Sequence, residues 1–555
     1  MGGSVVPAAV ATTPGADRVA VAAGAGIRSG RAPVARRRLD AALMGAARER
    51  NPSVWMGTAE APSFPKLPGD GEVDVVVVGA GITGLTTALL LQDGGASVAV
   101  VEAGRVASGS SGFNTAKVTS LHGLVYAQLL RTLGREKAGQ YAAANQAAIE
   151  QVVALDERLG RVSSVERQSA ATYTTDQSRV AEIAAEVEAA TSLGLPATYE
   201  TTTALPYPVA AAVRLADQAQ FHPVRYCHAV ASAISGAGGA IHESTRALDI
   251  EERDSGVVVR TEHGLIRAGQ AVVATLLPFL DVGGFFAKAA PYRSYGMAVK
   301  ADVEVAEGMY LGIDEPTRTV RRLSLDGEQA LVVGGHGHKV GQGGDTRQHY
   351  AEIEAWARSA FGARSVEYRW SAQDYVTSDH VPYVGRMPRR SRTFVACGFR
   401  KWGLSGGTAA AMVLAETLQG RSSPWSVVFD ATRVDPRASA TSFVKENVDV
   451  GRRFVVDRLK KLRAPSVAEL EPGEGRIVDL DGRKVAAYRD DSGTVHAVGA
   501  TCTHLGCTVA WNPAEASWDC PCHGSRFSAT GRLLDGPAVD DLEQVAGPEV
   551  GGDPG

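Results

Sequence analysis

Apolar and polar residues in the first half of the chain follow the pattern of alternating strands and helices. Val73–Val78 is a short apolar, β-branched run interrupted only by Asp74, which is typical of a strand buried on both faces of a parallel sheet. Leu85–Leu91 has helical character and stops at Gly94 and Gly95, and Ser97–Val101 is strand-like again. The pattern therefore predicts an α/β domain that opens with a strand–helix–strand unit.

Short apolar segments between turn residues mark the C-terminal part of the chain. Ile477–Leu480, Lys484–Tyr488 and Val495–Val498 are strand-like, and they predict a small all-β domain. The predicted boundaries are a disordered extension at 1–50, an α/β domain at 70–425, a connector at 426–465 and the all-β domain at 466–545.

The connector predicts a helix, because apolar residues recur in it at near-helical spacing among charged residues. Two interpretations stay open: a helix that docks the C-terminal domain or an acidic partner, and a solvated helix packed on the α/β domain. Residues 1–50 are mostly Ala, Gly, Val and Thr without periodicity, which predicts disorder. The apolar positions of the connector are Phe443, Val444, Val448, Phe454, Val455, Leu459 and Leu462.

A glycine-rich loop follows the first predicted strand directly. Gly79, Gly81 and Gly84 have the G-x-G-x-x-G spacing, and Glu102 ends the second strand. In a dinucleotide-binding loop the first glycine permits a tight turn, the second lets a pyrophosphate approach the backbone, and the third lets helix and strand pack closely. The acid would bind the ribose hydroxyls, and the phosphates would lie at the helix N-terminus. The sequence therefore predicts a Rossmann-like nucleotide site.

Composition and charge exclude several partner classes. The 555 residues are 45% apolar and 21% charged, with 57 basic and 61 acidic residues, which is ordinary for a globular protein of two or three domains. There is no basic stripe with interleaved aromatic residues, so nucleic acid is not an expected partner. No apolar run is long enough for a membrane span. The six cysteines include four in one C-terminal cluster, and this usage predicts a cytoplasmic location.

That C-terminal cluster contains two pairs of cysteine and histidine. Cys502 and His504 form a C-x-H pair, and Cys520 and His523 form a C-x-x-H pair. Two thiolates and two imidazoles are the ligands of a Rieske [2Fe-2S] centre, in which the imidazoles raise the reduction potential. A structural zinc site could use the same four ligands.

Both motifs resemble the boxes of the Rieske family, C-x-H-x-G and C-P-x-H-G. The resemblance implies that Cys502 and Cys520 are thiolate ligands and that His504 and His523 are imidazole ligands. It also implies a disulfide between Cys507 and Cys522, which occupy the positions of the disulfide in the respiratory branch. Ser525 matches a serine that donates a hydrogen bond to a cluster sulfur there.

The upstream domain resembles the FAD-dependent D-amino-acid oxidase superfamily, which includes glycine and sarcosine oxidases. The resemblance covers roughly Val73 to Leu418, and its motifs occur in the family's order. It implies an FAD-binding Rossmann-like domain with an inserted mixed-sheet substrate domain, although an empty or NAD-binding site stays open. The matching segments are Ser108–Thr115, Gln220–Pro223, Ala268–Thr275, Asp379–Gly385 and Gly403–Thr408. The implied cofactor-binding residues are Gly79, Gly81, Gly84, Glu102, Ser111, Thr115, Asp379, Gly406 and Gly407.

Catalytic residues are less determined than cofactor residues. In the family a mixed sheet covers the flavin and contacts substrate, and the candidate strands here contain Tyr292, Arg293, Tyr295, His336 and His338. Arg293 would either clamp a carboxylate or pair with a structural acid. Lys117 and Lys401 follow the two expected flavin loops, where their charge could act on the flavin or could lie at the surface. No residue is assigned as a general base.

Together these features predict an enzyme with two redox modules. FAD would be reduced by a small amine or amino acid, and the cluster would pass electrons singly to a quinone, a cytochrome or another flavoprotein. Electron flow from the cluster to the flavin stays open, and so does a redox sensor or electron-transfer flavoprotein with little turnover. A small-molecule substrate and a one-electron acceptor are therefore the expected partners.

Overall fold

The computed structural model describes residues 51–303, 305, 307–434, 467–480 and 482–545, which belong to one compact unit. The predicted extension at 1–50 and the predicted connector helix lie outside the described residues. Of the connector, only 426–434 is described, and it contains one short helix at Ser426–Phe429. Among the described helices, none is both long and apolar enough to cross a bilayer.

A parallel sheet forms the centre of the α/β part. Strand β1 is the predicted apolar strand, and it pairs in parallel with β2 on one side and β10 on the other. Its last four residues are all buried, because Val75 and Val77 pack with the helix after the glycine loop on one face, and Val76 and Val78 pack with neighbouring strands on the other. The strands of this eight-stranded sheet are β1 (Gly71–Val78), β2 (Val98–Val101), β7 (Ala240–His242), β8 (Ala247–Arg253), β9 (Gly256–Thr261), β10 (Leu265–Val273), β16 (Tyr383–Arg386) and β17 (Thr393–Cys397).

The helices include the predicted one after the glycine loop, which begins at Ile82 and ends before Gly94. The long helix α3 is broken at Gly134, whose φ of 78° departs from helical geometry. The described helices are α1 (Val54–Gly57), α2 (Ile82–Asp93), α3 (Tyr126–Arg158), α4 (Val180–Ser192), α5 (Pro223–Gly236), α6 (Phe285–Lys288), α7 (Thr346–Phe361), α8 (Ser405–Leu418) and α9 (Ser426–Phe429).

A second, mixed sheet of nine strands lies beside the first. Most of its pairs are antiparallel, but β4 and β12 run parallel. The expectation of an inserted mixed sheet is confirmed. Its strands are β3 (Lys117–Val118), β4 (Glu166–Thr174), β5 (Ala197–Glu200), β6 (Ala211–Gln220), β11 (Ala289–Ala301), β12 (Met309–Gly312), β13 (Arg318–Leu325), β14 (Glu328–Lys339) and β15 (Ala363–Thr377).

The C-terminal part consists of two small antiparallel sheets, as the sequence predicted. The three predicted strand segments become the three strands of the first small sheet. The second carries the cysteine–histidine motifs on the loops around it. The strands are β18 (Gly475–Leu480), β19 (Arg483–Arg489) and β20 (Val495–Gly499) in one sheet, and β21 (Ala510–Asn512), β22 (Ser517–Asp519), β23 (Arg526–Ser528) and β24 (Leu533–Asp535) in the other.

The C-terminal part packs against the mixed sheet through buried polar contacts. An Arg293 guanidinium nitrogen lies 3.2 Å from an Asp519 carboxylate oxygen, and both side chains are almost fully buried. The Tyr350 hydroxyl donates to Glu515 at 2.9 Å. Since buried charges require close partners, these contacts fix how the two parts meet.

Candidate active site and metal centre

The glycine loop between β1 and α2 has no room for side chains. Gly79 has a φ of +108°, and a Cβ atom there would lie 2.5 Å from the Ala274 carbonyl oxygen. A Cβ atom on Gly81 would lie 3.0 Å from the Ser111 hydroxyl, and one on Gly84 would collide with the Gly79 carbonyl. Because Gly79 and Gly81 have no side chains, a pyrophosphate could approach the backbone closely at both positions.

The acid at the end of β2 turns toward this loop. The Glu102 carboxylate accepts hydrogen bonds from the Ala80 amide at 2.9 Å and from the Gly104 amide at 2.8 Å. At the helix N-terminus, the Ile82 amide donates to the Ser111 hydroxyl at 3.0 Å. Glu102 and Ser111 therefore border the loop from two sides, as expected for the ends of a dinucleotide site.

One large cavity joins the glycine loop to the mixed sheet. Its volume is about 900 Å³, near the upper end of the range of about 300–1,000 Å³ for ligand sites. Residues 532–536, 538 and 539 of the C-terminal part form one wall, so both parts of the protein enclose the same space. The predicted residues on the wall are Gly79, Gly81, Glu102, Ser111, Thr115, Lys117, Tyr292, Tyr295 and Lys401.

Four predicted cofactor residues lie outside this wall. Gly84 packs helix α2 against the loop, and a Cβ atom on Gly407 would collide with Thr83 on the same helix. Gly406 lies beside it in α8. Asp379 is buried and bound by both Nε and Nη2 of Arg433, at 2.6 and 3.0 Å. The contacts of these residues within the fold are structural.

Lys117 is the most unusual charged group on the wall. It is buried, and its ammonium group donates to the Tyr310 carbonyl at 2.7 Å and to the Thr319 hydroxyl. Burial, and secondarily the charge of Arg321, lower the pKa of Lys117 to about 7. A lysine in this state holds or releases a proton near neutral pH.

Lys401 lies on the opposite side of the cavity, beside an acid. Its backbone amide donates to the carboxylate of Asp374, and burial lowers the pKa of the Lys401 side chain. Burial also raises the pKa of Asp374 to about 6, despite hydrogen bonds from two backbone amides. The wall thus carries a pair of groups whose charged states are both disfavoured by burial.

Three other predicted residues are off the cavity wall: Arg293, His336 and His338, whose Nε2 atom lies 2.9 Å from the Tyr295 hydroxyl. Arg293 turns to the C-terminal part, where it pairs with Asp519 and donates to Ser371 and Gln373. This is the structural pairing that the sequence left open. His336 is also off the wall, with its Nδ1 atom 3.4 Å from Glu352, and burial lowers its pKa to about 4.

A polar cluster around His122 lies on the wall but was not among the predicted site residues. The His122 ring stacks on Trp402 with 4.8 Å between centroids. One ring nitrogen bonds the Tyr141 hydroxyl at 2.6 Å, and the other bonds the Thr119 carbonyl at 2.8 Å. Since a carbonyl only accepts, the nitrogen facing Thr119 carries the proton. The residues are too far apart in sequence for their pairing to be predicted.

The two predicted cysteine ligands lie side by side in the C-terminal part. Both are buried and outside any disulfide. A hydrogen bond with Cys520 lowers the pKa of Cys502 to about 7, assisted by the backbone amides of His504 and Leu505 and by the Ser525 hydroxyl. The pKa of Cys520 is raised in turn by its neighbour. The surrounding donors favour negative charge on sulfur, as a cluster with two thiolate ligands requires.

The two histidines complete a four-residue set that fits a [2Fe-2S] cluster. Their ring centroids are 5.1 Å apart and the ring planes are perpendicular. The Nε2 atom of His504 lies 3.0 Å from an Asp281 oxygen, while its buried Nδ1 atom has no hydrogen-bond partner among the described residues. An unpartnered ring nitrogen is what an iron ligand offers. The disulfide between Cys507 and Cys522 is also formed, and it joins the two motif loops.

Comparison with known proteins identifies both parts of the chain. The family model described as FAD dependent oxidoreductase (DAO) matches residues 74–417, and that of the Rieske [2Fe-2S] domain matches residues 460–546. YhfW of Bacillus subtilis (strain 168), whose name describes it as a Rieske 2Fe-2S iron-sulfur protein, is 37% identical over 505 residues. That alignment covers 90% of this chain and 98% of YhfW.

Solved structures of amino-acid-oxidising enzymes superimpose on about two thirds of the chain. Glycine oxidase from Geobacillus kaustophilus superimposes with a TM-score of 0.55 at 18% identity, covering 66% of this chain and 99% of that one. L-proline dehydrogenase from P. horikoshii gives a TM-score of 0.54 at 18% identity, covering 66% of this chain and 98% of that one. At this identity the likeness establishes the fold.

Proposed function

Because the chain belongs to the FAD dependent oxidoreductase family and carries a Rieske [2Fe-2S] domain, we propose that it oxidises a small amine or amino-acid-like substrate and passes the electrons singly through the cluster. The final acceptor is a one-electron carrier such as a quinone, a cytochrome or another flavoprotein. The observation that carries this proposal is the single cavity enclosed by the nucleotide loop, the mixed sheet and the Rieske domain.

When FAD is bound, it would accept two electrons from the substrate. In the proposal the backbone of Gly79 and Gly81 approaches its pyrophosphate, Glu102 binds the ribose hydroxyls, and Ser111 and Thr115 line the path toward the flavin ring. Gly84 supports this site by packing α2 onto the loop. In the Rieske domain, Cys502, Cys520, His504 and His523 would hold the iron.

The charges on the cavity wall support a substrate that combines an anionic group with an amine. The cavity wall beside the mixed sheet carries an ion pair of Arg179 and Glu182, a further acid, Asp374, and four more cations, Lys117, Arg318, Arg400 and Lys401. Arg318 and Arg400 each keep a buried guanidinium nitrogen without a hydrogen-bond partner among the described residues. Unpaired guanidinium groups suit a carboxylate. Glycine oxidase and L-proline dehydrogenase, which share the fold, are named for amino-acid substrates.

Anaerobic flavin bleaching tests the proposed substrate class. The protein loaded with FAD is mixed with a library of amines and amino acids. The matched controls are 2-hydroxy acids, in which a hydroxyl replaces the amino group. We expect bleaching by at least one amine or amino acid, followed by a slower absorbance change from cluster reduction. Bleaching by hydroxy acids alone, or by no member of the library, would contradict the amine assignment.

A further inference from the structure

One strand of the mixed sheet touches both the cavity and the cluster-binding loop. Gln373, Asp374 and Tyr375 of β15 all line the cavity. The Ser110 hydroxyl, in the loop that includes Ser111, donates to the backbone carbonyl of Gln373 at 2.8 Å. The flavin side of this strand is therefore joined by a hydrogen bond to the loop that borders the nucleotide site.

The other side of the same strand is bonded to the Rieske domain. The Tyr375 hydroxyl donates to the His523 carbonyl at 2.8 Å, and the Gln373 side-chain amide donates to the Gly524 carbonyl at 2.7 Å. Both side chains are almost fully buried. His523 is an expected iron ligand, so these two carbonyls belong to the loop that would hold the cluster.

The approach of the two parts at this point is close. Gly524 has a φ of +78°, and a Cβ atom there would lie 2.6 Å from the Gln373 amide nitrogen and 2.7 Å from the Tyr375 hydroxyl. On the histidine edge, the Phe286 ring lies 5.1 Å from the His523 ring and 5.8 Å from the His504 ring, measured between centroids. The cluster-binding end of the Rieske domain thus packs against the FAD part. Phe286 of the FAD part contacts both histidines.

We propose that Gln373 and Tyr375 are the bridge through which electrons pass between FAD and the cluster, with the Rieske domain docked throughout. In each passage one electron leaves the reduced FAD, and one ferric iron of the cluster becomes ferrous. Over the two passages that would return FAD to its oxidised state, the N5–H bond of the reduced flavin breaks and its proton leaves to solvent, while the cluster takes up electrons only. The cluster then returns to its oxidised state by giving that electron to the one-electron acceptor. This inference rests on the proposed function, because it names the route that joins its two centres.

Tyr375→Phe is the sharpest variant, because it keeps the ring and removes only the hydroxyl, which donates to the His523 carbonyl and accepts from the Gln373 side-chain amide at 3.2 Å. Its matched control is Tyr350→Phe, since Tyr350 is also buried and donates one hydrogen bond across the same interface, to Glu515, but lies off the cavity wall. A merely structural role predicts equal effects for the two variants. A bridging role predicts that only Tyr375→Phe affects electron exchange.

The experiment is anaerobic flash photoreduction of the fully loaded protein with a deazaflavin donor, which needs no knowledge of the substrate. The concentration-independent exchange between flavin and cluster is followed by absorbance, and the cluster is checked by electron paramagnetic resonance. We expect Tyr375→Phe to slow the exchange about tenfold, the effect of about 1.4 kcal/mol on a barrier, with an unchanged resonance signal. Tyr350→Phe should stay within about twofold of the wild type, although both variants lose buried hydrogen bonds.

Several results would overturn the bridge. If both tyrosine variants slowed electron exchange equally, Tyr375 would be only a docking contact. If Tyr375→Phe exchanged electrons at the wild-type rate, Tyr375 would not lie on the electron route. Gln373→Ala is the second variant, and it should also slow exchange with the cluster signal retained. Loss of the cluster signal from both Tyr375→Phe and Gln373→Ala would show that they only hold the cluster loop. Absence of any exchange in the wild type would instead defeat the proposed function itself.

Discussion

At the scale of single residues, Lys117 shows how burial changes an ordinary lysine. It lies on the cavity wall with its ammonium group between the Tyr310 carbonyl and the Thr319 hydroxyl. Two neutral acceptors do not replace the hydration that burial removes, and Arg321 adds a like charge, so its pKa falls to about 7. Burial in the folded protein therefore disfavours the charged form of this side chain.

Lys117→Met should remove the free-energy cost of burying the charged lysine. The sign of the pH dependence of stability follows from the difference in the lysine pKa between the folded and unfolded states. Between a pKa of about 7 in the folded state and 10.5 in the unfolded state, the unfolded chain binds the extra proton, so wild-type stability rises with pH across this window. Below about pH 7 the variant should be more stable by a few kcal/mol, and the difference should shrink as the pH approaches 10. Urea unfolding at several pH values measures it, with exposed Lys66→Met as the control. Parallel profiles for Lys117→Met and the wild type would contradict the prediction.

At the scale of elements, the alternation of side chains along β11 separates a cavity position from a docking position. Tyr292 lies on the cavity wall, as does its β15 neighbour Asp374. The next residue, Arg293, is off the wall and meets Asp519 of the Rieske domain. Because successive side chains of a strand point to opposite faces, β11 serves both the cavity and the docking surface, while Gln373 of β15 borders both.

Arg293→Met should therefore affect stability and leave the substrate site intact. We expect a loss of about 3 kcal/mol in the free energy of unfolding, at the low end for a broken buried ion pair because Arg526 also lies 3.2 Å from Asp519. FAD absorbance and substrate affinity should stay as in the wild type. Arg322→Met is the control, since its pair with Glu307 is partly exposed and contributes about 0–1 kcal/mol. Unchanged stability with lost substrate affinity would instead make Arg293 a substrate clamp.

At the scale of the whole molecule, the Rieske domain is part of the wall around the FAD cavity. Residues 532–536 of this domain line the same space as the glycine loop. Buried contacts at Arg293 and Tyr375 tie the domain to the mixed sheet, and Tyr350 ties it to helix α7. The residues expected to hold a two-electron and a one-electron centre therefore belong to one compact unit, which would favour exchange between the centres.

Removal of the cluster tests whether that exchange matters for turnover. Cys520→Ser should lose iron and acid-labile sulfide, keep FAD, and keep flavin bleaching by substrate. Turnover with a one-electron acceptor should fall at least about tenfold, because electrons would have to leave the flavin by a slower route. Cys227→Ser is the matched control, since Cys227 is buried and unpaired but far from the ligand set. Wild-type turnover in Cys520→Ser would make the cluster structural or sensory.

The amino-acid sequence by itself determined the local parts of this protein. The buried strand β1, the glycine loop, helix α2 and the two cysteine–histidine motifs are recognisable because short spacing and hydrophobic period specify them. The Cys507–Cys522 disulfide, expected from resemblance, is formed in the structure. The Rossmann-like unit and the all-β C-terminal domain were predictable at this level, whereas the mixed sheet was expected only from the family resemblance.

The tertiary structure determined which side chains contact each other across separate elements. Sequence could place Arg293 on a strand but not on a face of the sheet, and it could not reveal that Tyr375 meets His523, 148 positions away. Asp379 occupies a recognisable motif, yet its partner Arg433 takes both carboxylate oxygens. Such pairings depend on how separate elements pack, and packing is set by the sum of many weak contacts across the chain. No local pattern of residues encodes that sum.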